Sequence, residues 1–204
     1  MSNLHPITDR LLTRNDKEQF LKQKGLVVWF YGLSGSGKST IAIQLEQELH
    51  ARGILCKVLD GDNIRTGLNN NLGFTDEDRR ENIRRIAEVS KLMAQTGIVT
   101  ICSFITPKEE LRALALCILG DDLLDVYVHA SYETCEKRDV KGLYAKANEG
   151  KIVNFTGKDS GFEIPETPTL RIDTERQSVE ESTKVVLEAL LPRIQLSGVP
   201  QTAF

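Results

Sequence analysis

The sequence predicts a three-layer α/β/α domain around a mainly parallel, five-stranded sheet, and three observations carry that prediction. Apolar runs of strand length alternate with segments of helical period from residue 26 to residue 194, the pattern of a parallel sheet covered on both faces. The first of these runs ends in Trp29-Phe30-Tyr31, breaks into Gly32-Leu33-Ser34-Gly35-Ser36-Gly37-Lys38-Ser39-Thr40 and passes into a helical pattern. The second, residues 56–59, ends in Asp60-Gly61-Asp62, so two carboxylates stand at the carboxyl end of a strand, where open α/β sheets bind ligands.

The elements follow in order. Residues 1–15 are polar with little periodicity and are expected to form an arm on the surface or on a partner subunit. Residues 16–24 can make a short helix with Phe20 and Leu21 as its apolar contacts. Residues 26–31 read as a buried strand, and residues 40–51 as an amphipathic helix closed by Gly53. Residues 63–74, rich in Asn and Gly, read as a loop or short helical turns. Thr75 can cap a long helix whose first turn is favoured by Asp76, Glu77 and Asp78, with Ile83, Ile86, Ala87, Ser90, Leu92, Met93 and Ala94 as its apolar face.

Gly97 stops that helix, and the β-branched run 98–105 is a central strand. Pro107 suits the first turn of a helix to about residue 119, with Gly120 after it. Residues 123–129 are a fourth strand, Ser131 caps a helix reaching Arg138, 169–172 is a short fifth strand, and 178–194 a final amphipathic helix. Between them, residues 139–166 are dominated by Lys, Gly, Asn, Asp and Ser, and a segment of that length and composition inside a compact domain reads as a functional lid. The division is therefore an arm and short helix over 1–24, one domain over 25–195 with its lid, and a loose tail over 196–204.

Gly32, Gly37, Lys38 and Ser39 fit the spacing G-x-x-x-x-G-K-[ST] of the phosphate-cradling P-loop. Glycines let backbone N–H groups close around phosphate oxygens, and the following helix begins with unpaired donors and partial positive charge. In that reading residues 32–40 cradle a nucleoside triphosphate, Lys38 reaches the β and γ phosphates, and the Ser39 hydroxyl ligates Mg²⁺. A flexible Gly/Ser turn between strand and helix would give the lysine no reason to sit at the helix start.

The chain has 204 residues, 40% of them hydrophobic and 27% charged, which suits one domain with a full core. A formal charge of -3 argues against a general nucleic-acid or membrane-surface binder, so an anionic substrate must be met by a local cluster of Arg and Lys. Four cysteines, Cys56, Cys102, Cys117 and Cys135, lack C-x-x-C spacing and read as free thiols in a reducing compartment. With no signal-peptide pattern and no apolar run long enough to cross a bilayer, a cytoplasmic protein is expected.

A phosphate loop alone does not separate a kinase from a GTPase switch or a motor ATPase; the residues around the aspartates do. Asp60-Gly61-Asp62-Asn63-Ile64-Arg65, Gly67-Leu68-Asn69, Leu72-Gly73-Phe74, Asp78-Arg79 and Asn82-Ile83-Arg84-Arg85-Ile86-Ala87-Glu88 closely resemble the adenylyl-sulfate kinases. The resemblance continues through Ser103-Phe104-Ile105-Thr106-Pro107, the segment from Cys135 to Ala147, and Asn154-Phe155-Thr156-Gly157-Lys158-Asp159-Ser160, and spans roughly residues 24–174. It implies ATP-dependent phosphorylation of the ribose 3′-hydroxyl of adenosine 5′-phosphosulfate, with Mg²⁺, in a likeness of a homodimeric family.

Phosphoryl transfer to a hydroxyl needs a metal ion, an in-line acceptor and positive charge on the moving group. Asp62 is expected to orient or deprotonate the 3′-hydroxyl while Asp60 helps hold Mg²⁺ through water, although these two roles could be exchanged. The resemblance further implies that Asn63, Arg65, Arg79 and Asn82 serve the acceptor, the last three gripping its anion. Phe74 would stack on its adenine, with Phe162 closing the other side. Ile105, Thr106, Asn154 and Phe155 would line the acceptor nucleoside, Arg138 would pack on the base of ATP, and Lys141 would reach the bound anions.

The chain departs from the family's pattern in places. Thr106 stands where serine is common, Lys108 and Glu109 where Tyr and Arg are frequent, and Lys158 where an aliphatic residue is usual. None of these removes Lys38, Ser39 or the aspartates. A kinase for another nucleotide or a sugar acid is the near alternative; a nucleotide-dependent switch lacks its guanine-specific Asn-Lys-x-Asp tetrapeptide, and a catalytically idle binder would not need the intact loop and aspartates.

Overall fold

A computed structural model describes residues 5–152, 155–158 and 160–196. Its described residues form a five-stranded sheet in the order β2-β3-β1-β4-β5, from β1 (Leu26–Tyr31), β2 (Cys56–Asp60), β3 (Val99–Ser103), β4 (Leu123–His129) and β5 (Leu170–Asp173). Every pairing is parallel. The central β1 is buried at all of its positions, and the period-two alternation of its side chains feeds two separate cores.

On one face Val28 and Phe30 pack with Val126, Val128 and Ile172 under α2 (Lys38–Ala51) and α8 (Val179–Ile194). On the other, Val27, Trp29 and Tyr31 meet Ile83, Ile86 and Ala87 of α4 (Asp76–Ala94) and Leu111 and Ala115 of α5 (Glu109–Leu119). The three layers expected from the alternating pattern are thus present. Truncating a residue at the centre of either core, such as Leu45 or Ile86, both fully buried, is expected to cost roughly 2–5 kcal/mol.

Local chemistry sets the ends of the helices. Thr75 Oγ1 accepts from the Asp78 N–H, and Ser178 and Thr13 each complete a capping box, with Glu181 and Asp16 as their reciprocal partners. The first helix, α1, accordingly starts earlier than its apolar residues suggested, at Arg14–Leu21. Phe20 is 86% exposed and makes no core contact there, and Leu92 of α4 points outward in the same way. Pro107 lies before its helix rather than in its first turn: Lys108 is the N-cap, and Thr106 ahead of it takes a positive φ of 41°.

Short helices occupy segments read as irregular. The two aspartates bracket the start of α3 (Gly61–Arg65), for which Asp60 is the N-cap. After α6 (Tyr132–Arg138) comes α7 (Leu143–Asn148), inside the segment expected to be a lid. Tyr144 and Ala147 of α7 join Ala130, Cys135 and Phe155 in a third, smaller core. Within the described residues no helix is long and apolar enough to cross a membrane.

Cys56, Cys102, Cys117 and Cys135 are free thiols, as their spacing indicated. Burial pushes the Cys102 thiol up to about 12 and Cys56 up to about 11. At pH 8 a thiol at 12 is about one part in ten thousand thiolate, the reactive form. A thiol reagent at pH 8 is therefore expected to label exposed Cys117 quickly and Cys102 only on unfolding. Peptide mass spectrometry after timed quenching checks this, and equal labelling rates would show that the β3 core opens in the native state.

Candidate active site

The phosphate loop is shaped by where β1 ends. Gly32 has a φ of +149°, and a Cβ there would lie 2.3 Å from the Val128 carbonyl oxygen, so a side chain at this position would push β1 off β4. The Gly32 N–H donates to the Ile105 carbonyl (3.2 Å), which ties the loop to the segment after β3. Gly37, at φ +102°, turns the chain into α2. Lys38 then folds back over the loop, with Nζ donating to the carbonyls of Leu33 (2.7 Å) and Gly32 (3.1 Å). Burial lowers its pKa to about 8, so this ammonium is held in a place that rewards an incoming anion.

Three further side chains brace the loop. Tyr144 of α7 donates its hydroxyl to the Ser34 carbonyl (2.8 Å), and Thr174 donates Oγ1 to the Ser36 carbonyl (2.9 Å). Arg138 spans both, donating to the Gly35 carbonyl (3.3 Å) and to Oγ1 and O of Thr174 (3.0 and 2.8 Å). Ser36 Oγ is buried without a hydrogen-bond partner among the described residues.

At the neighbouring strand ends Ser39 Oγ donates to Asp60 Oδ2 (2.7 Å) and lies 3.2 Å from Ser103 Oγ. A carboxylate and two hydroxyls in this cluster are all hard oxygen donors, the set that suits Mg²⁺. Asp60 Oδ1 accepts from the Asp62 N–H (3.1 Å), which fixes the turn between the carboxylates. Asp62 accepts from Lys141 Nζ at 2.5 Å, an exposed ion pair joining the segment between α6 and α7 to α3.

Across the cleft, Arg65 sits 4.4 Å from the Phe74 ring and donates to the carbonyls of Leu72 and Gly73 (2.9 and 3.0 Å). Arg79 donates to the Phe74 carbonyl and to Thr156 Oγ1, each at 3.0 Å. Both guanidiniums have pKa values lowered by burial, and in Arg65 by the charge of Arg79 as well. Like charges crowded in a half-buried place are suited to an anion. Buried Asn82 accepts from Asn69 (2.9 Å), and Phe74 stands 59% exposed at the mouth.

One cavity of about 680 Å³ connects these groups. Ser34, Gly35, Gly37, Lys38, Ser39 and Thr40 line it on the loop side, with Asp60 and Asp62 at the strand ends. Arg65, Phe74, Arg79, Asn82, Ile105, Thr106, Arg138, Lys141 and Phe155 complete its walls. Gly32, Leu33 and Ser36 form the back of the loop, and Asn63 turns its carbonyl to Thr66. Asn154 lies outside the described residues.

Phe162 is not brought to this cavity. It stacks on Tyr127 (ring centroids 5.9 Å apart, 18° between planes), with Arg112 6.0 Å from its ring, because an apolar patch beside β4 is open to it. Sequence reasoning missed Ser103, Tyr144 and Thr174. Ser103 and Thr174 had a legible signal, since each stands at the carboxyl end of a strand; Tyr144 had none.

The departures find local partners. Thr106 accepts from the Trp29 indole N–H (2.9 Å), a task that any hydroxyl at this position performs. Lys108 pairs with Asp76 (2.8 Å), and the Glu109 N–H donates to Glu163 (2.5 Å). Lys158 donates to the Ala147 carbonyl (3.0 Å) and Asn148 Oδ1 (2.8 Å), a favourable cation at the end of α7.

Comparison with known proteins gives one consistent answer. Residues 24–173 match the model of the adenylylsulphate kinase family. An adenylyl-sulfate kinase of Bacteroides fragilis is 61% identical over 194 residues, covering 95% of this chain and 96% of that protein. Among solved structures, the Mycobacterium tuberculosis APS kinase CysC in complex with AMPPNP and APS aligns with a TM-score of 0.80 at 44% identity, over 82% of this chain and 98% of that one. A hexameric APS kinase from Thiobacillus denitrificans aligns with a TM-score of 0.64 at 27% identity, over 85% of this chain and 30% of that one. With a family match across most of its length and a relative this similar from end to end, the chain belongs to the adenylylsulphate kinase family.

Proposed function

We propose that the protein transfers the terminal phosphoryl group of ATP to the ribose 3′-hydroxyl of adenosine 5′-phosphosulfate, giving ADP and 3′-phosphoadenosine 5′-phosphosulfate, in sulfate assimilation. The observation that carries this reading is the single cavity shared by Lys38 on one side and Asp62, Phe74 and Arg79 on the other. A triphosphate in the loop and a nucleotide held by the arginines would meet there at the aspartates.

In this reading Lys38 leaves the carbonyls of Gly32 and Leu33 for the β and γ phosphates, and residues 32–40 close around them with backbone N–H groups, those of Gly32 and Ser36 staying with Ile105 and Leu33. Arg138 packs on the base of ATP. Ser39 and Asp60 would hold Mg²⁺, which supplies charge neutralisation to the phosphates when bound. Arg65, Arg79 and Asn82 grip the phosphosulfate, Phe74 stacks on the acceptor adenine, and Ile105, Thr106 and Phe155 line its nucleoside, with Asn63 and Asn154 beside it. Asp62 orients the 3′-hydroxyl and takes its proton.

Lys141 is the part that changes partner. It pairs with Asp62, and an acceptor hydroxyl arriving at that carboxylate would release the ammonium toward the transferred group. Closure of the lid over 139–166 would also bring Phe162 from Tyr127 toward the acceptor base. A homodimer is the assembly implied by the sequence resemblance, and a reducing cytoplasm is the compartment that four free thiols suit.

ADP release by the purified protein with ATP and Mg²⁺ is expected to depend on adenosine 5′-phosphosulfate; release indifferent to that acceptor would refute the assignment. Asp62→Ala is expected to keep ATP affinity while turnover falls about 10²–10⁴-fold, the usual worth of a positioned general base. Unchanged turnover would remove Asp62 from the chemistry. Arg79→Ala should weaken acceptor binding by about 1.5–3 kcal/mol, the range for a charge-assisted hydrogen bond, with little effect on ATP. Calorimetry with each nucleotide separates that outcome from an equal loss for both, which would indicate a folding defect.

A further inference from the structure

A second cluster of ligating side chains lies behind the phosphate loop, outside the cavity just described. It follows from strand register. β4 and β5 are parallel, with His129 directly opposite Asp173. Val126, Val128 and Ile172 fill the core under α2 and α8. Alternation therefore turns Tyr127, His129, Arg171 and Asp173 to the other face of the sheet. Glu175, two residues past the end of β5, curls back to the same place, and one ligand atom from each of His129, Asp173 and Glu175 lies within 4.8 Å of the others.

Each of the three is oriented by a neighbour and keeps a donor atom to offer. Tyr127 Oη lies 3.2 Å from His129 Nδ1, which leaves Nε2 for another partner. Glu175 Oε1 accepts from the N–H and hydroxyl of Ser131 (3.1 and 2.6 Å), and Asp173 Oδ1 accepts from the Glu175 N–H (3.1 Å). Hydrogen bonds of this kind, on the far side of each ligand, are what hold metal ligands in place. One nearby cation, Arg176, makes a long, exposed ion pair with Asp173 Oδ2 (3.8 Å), and Arg171 lies over the Tyr127 ring at 5.9 Å.

We propose that His129, Asp173 and Glu175 form a second cation site, for a borderline transition ion such as Zn²⁺ or Co²⁺. An imidazole with two carboxylates suits such ions, whereas the all-oxygen cluster at Ser39 and Asp60 suits Mg²⁺. Ligands about 2.0–2.2 Å from a zinc ion stand roughly 3.3 Å apart, so atoms up to 4.8 Å apart must close by as much as about 1.5 Å, a side-chain adjustment that exposed Glu175 can share through its second carboxylate oxygen. The site would fix both neighbours of Thr174, the residue that braces Ser36 and Arg138.

The test uses the full chain without nucleotide, titrated with Co²⁺ and followed by visible absorption. A saturable ligand-field spectrum is expected that excess Mg²⁺ does not remove. His129→Asn and Glu175→Gln are each expected to weaken Co²⁺ binding tenfold or more, with unchanged circular dichroism. Glu175→Gln keeps an acceptor for Ser131 at an exposed position, so its result does not depend on how His129→Asn folds. No saturable spectrum, or the same spectrum in both variants, would overturn the site.

Discussion

The whole arrangement depends on the close approach of the chain at Gly32 to the carbonyl of Val128. β1 must run straight out of the core, then bend within one residue so that the loop lies over the strand ends rather than beyond them. The bend is held from behind by Ile105 and from the sides by Tyr144, Thr174 and Arg138, residues drawn from four separate parts of the chain. A loop tied at so many points presents its N–H groups without having to be ordered by the ligand, and that preorganisation is where such a site gains its strength.

A second theme is that the cations of the cleft are occupied but cheaply displaced. Lys38 rests on two carbonyls, Arg79 on a carbonyl and a threonine hydroxyl, and Lys141 on Asp62. Lys38 can exchange its carbonyls for phosphate or sulfate oxygens, which bind a cation more strongly than neutral acceptors do, whereas Lys141 already sits on a carboxylate. Lys38 gains most, because its burial already penalises the charge it carries.

Much of this was legible in the residues. The five strands, their parallel run and the phosphate loop follow from period and spacing, because a buried strand and a glycine-rich turn have few alternative readings. The short helix α3 was foreseen only as one alternative, a loop or short helical turns, and α7 escaped notice, since a helix of one or two turns leaves little periodic signal and α7 is held by the packing of Tyr144 and Ala147. Phe20 and Leu92 read as core because hydrophobicity marks a face without saying whether anything lies against it. Phe162 shows the limit most clearly: an aromatic in a loop can stack on a ligand or on its own protein, and here Tyr127 has it.

The ion pair between Lys141 and Asp62 joins segments 79 residues apart in the chain. Both side chains are exposed, so dissolved salt screens their attraction and the tie between α3 and residues 139–166 loosens as ionic strength rises. The contacts of buried Lys38 with the loop carbonyls lack that sensitivity, so the two sides of the cleft respond unequally to the medium around them.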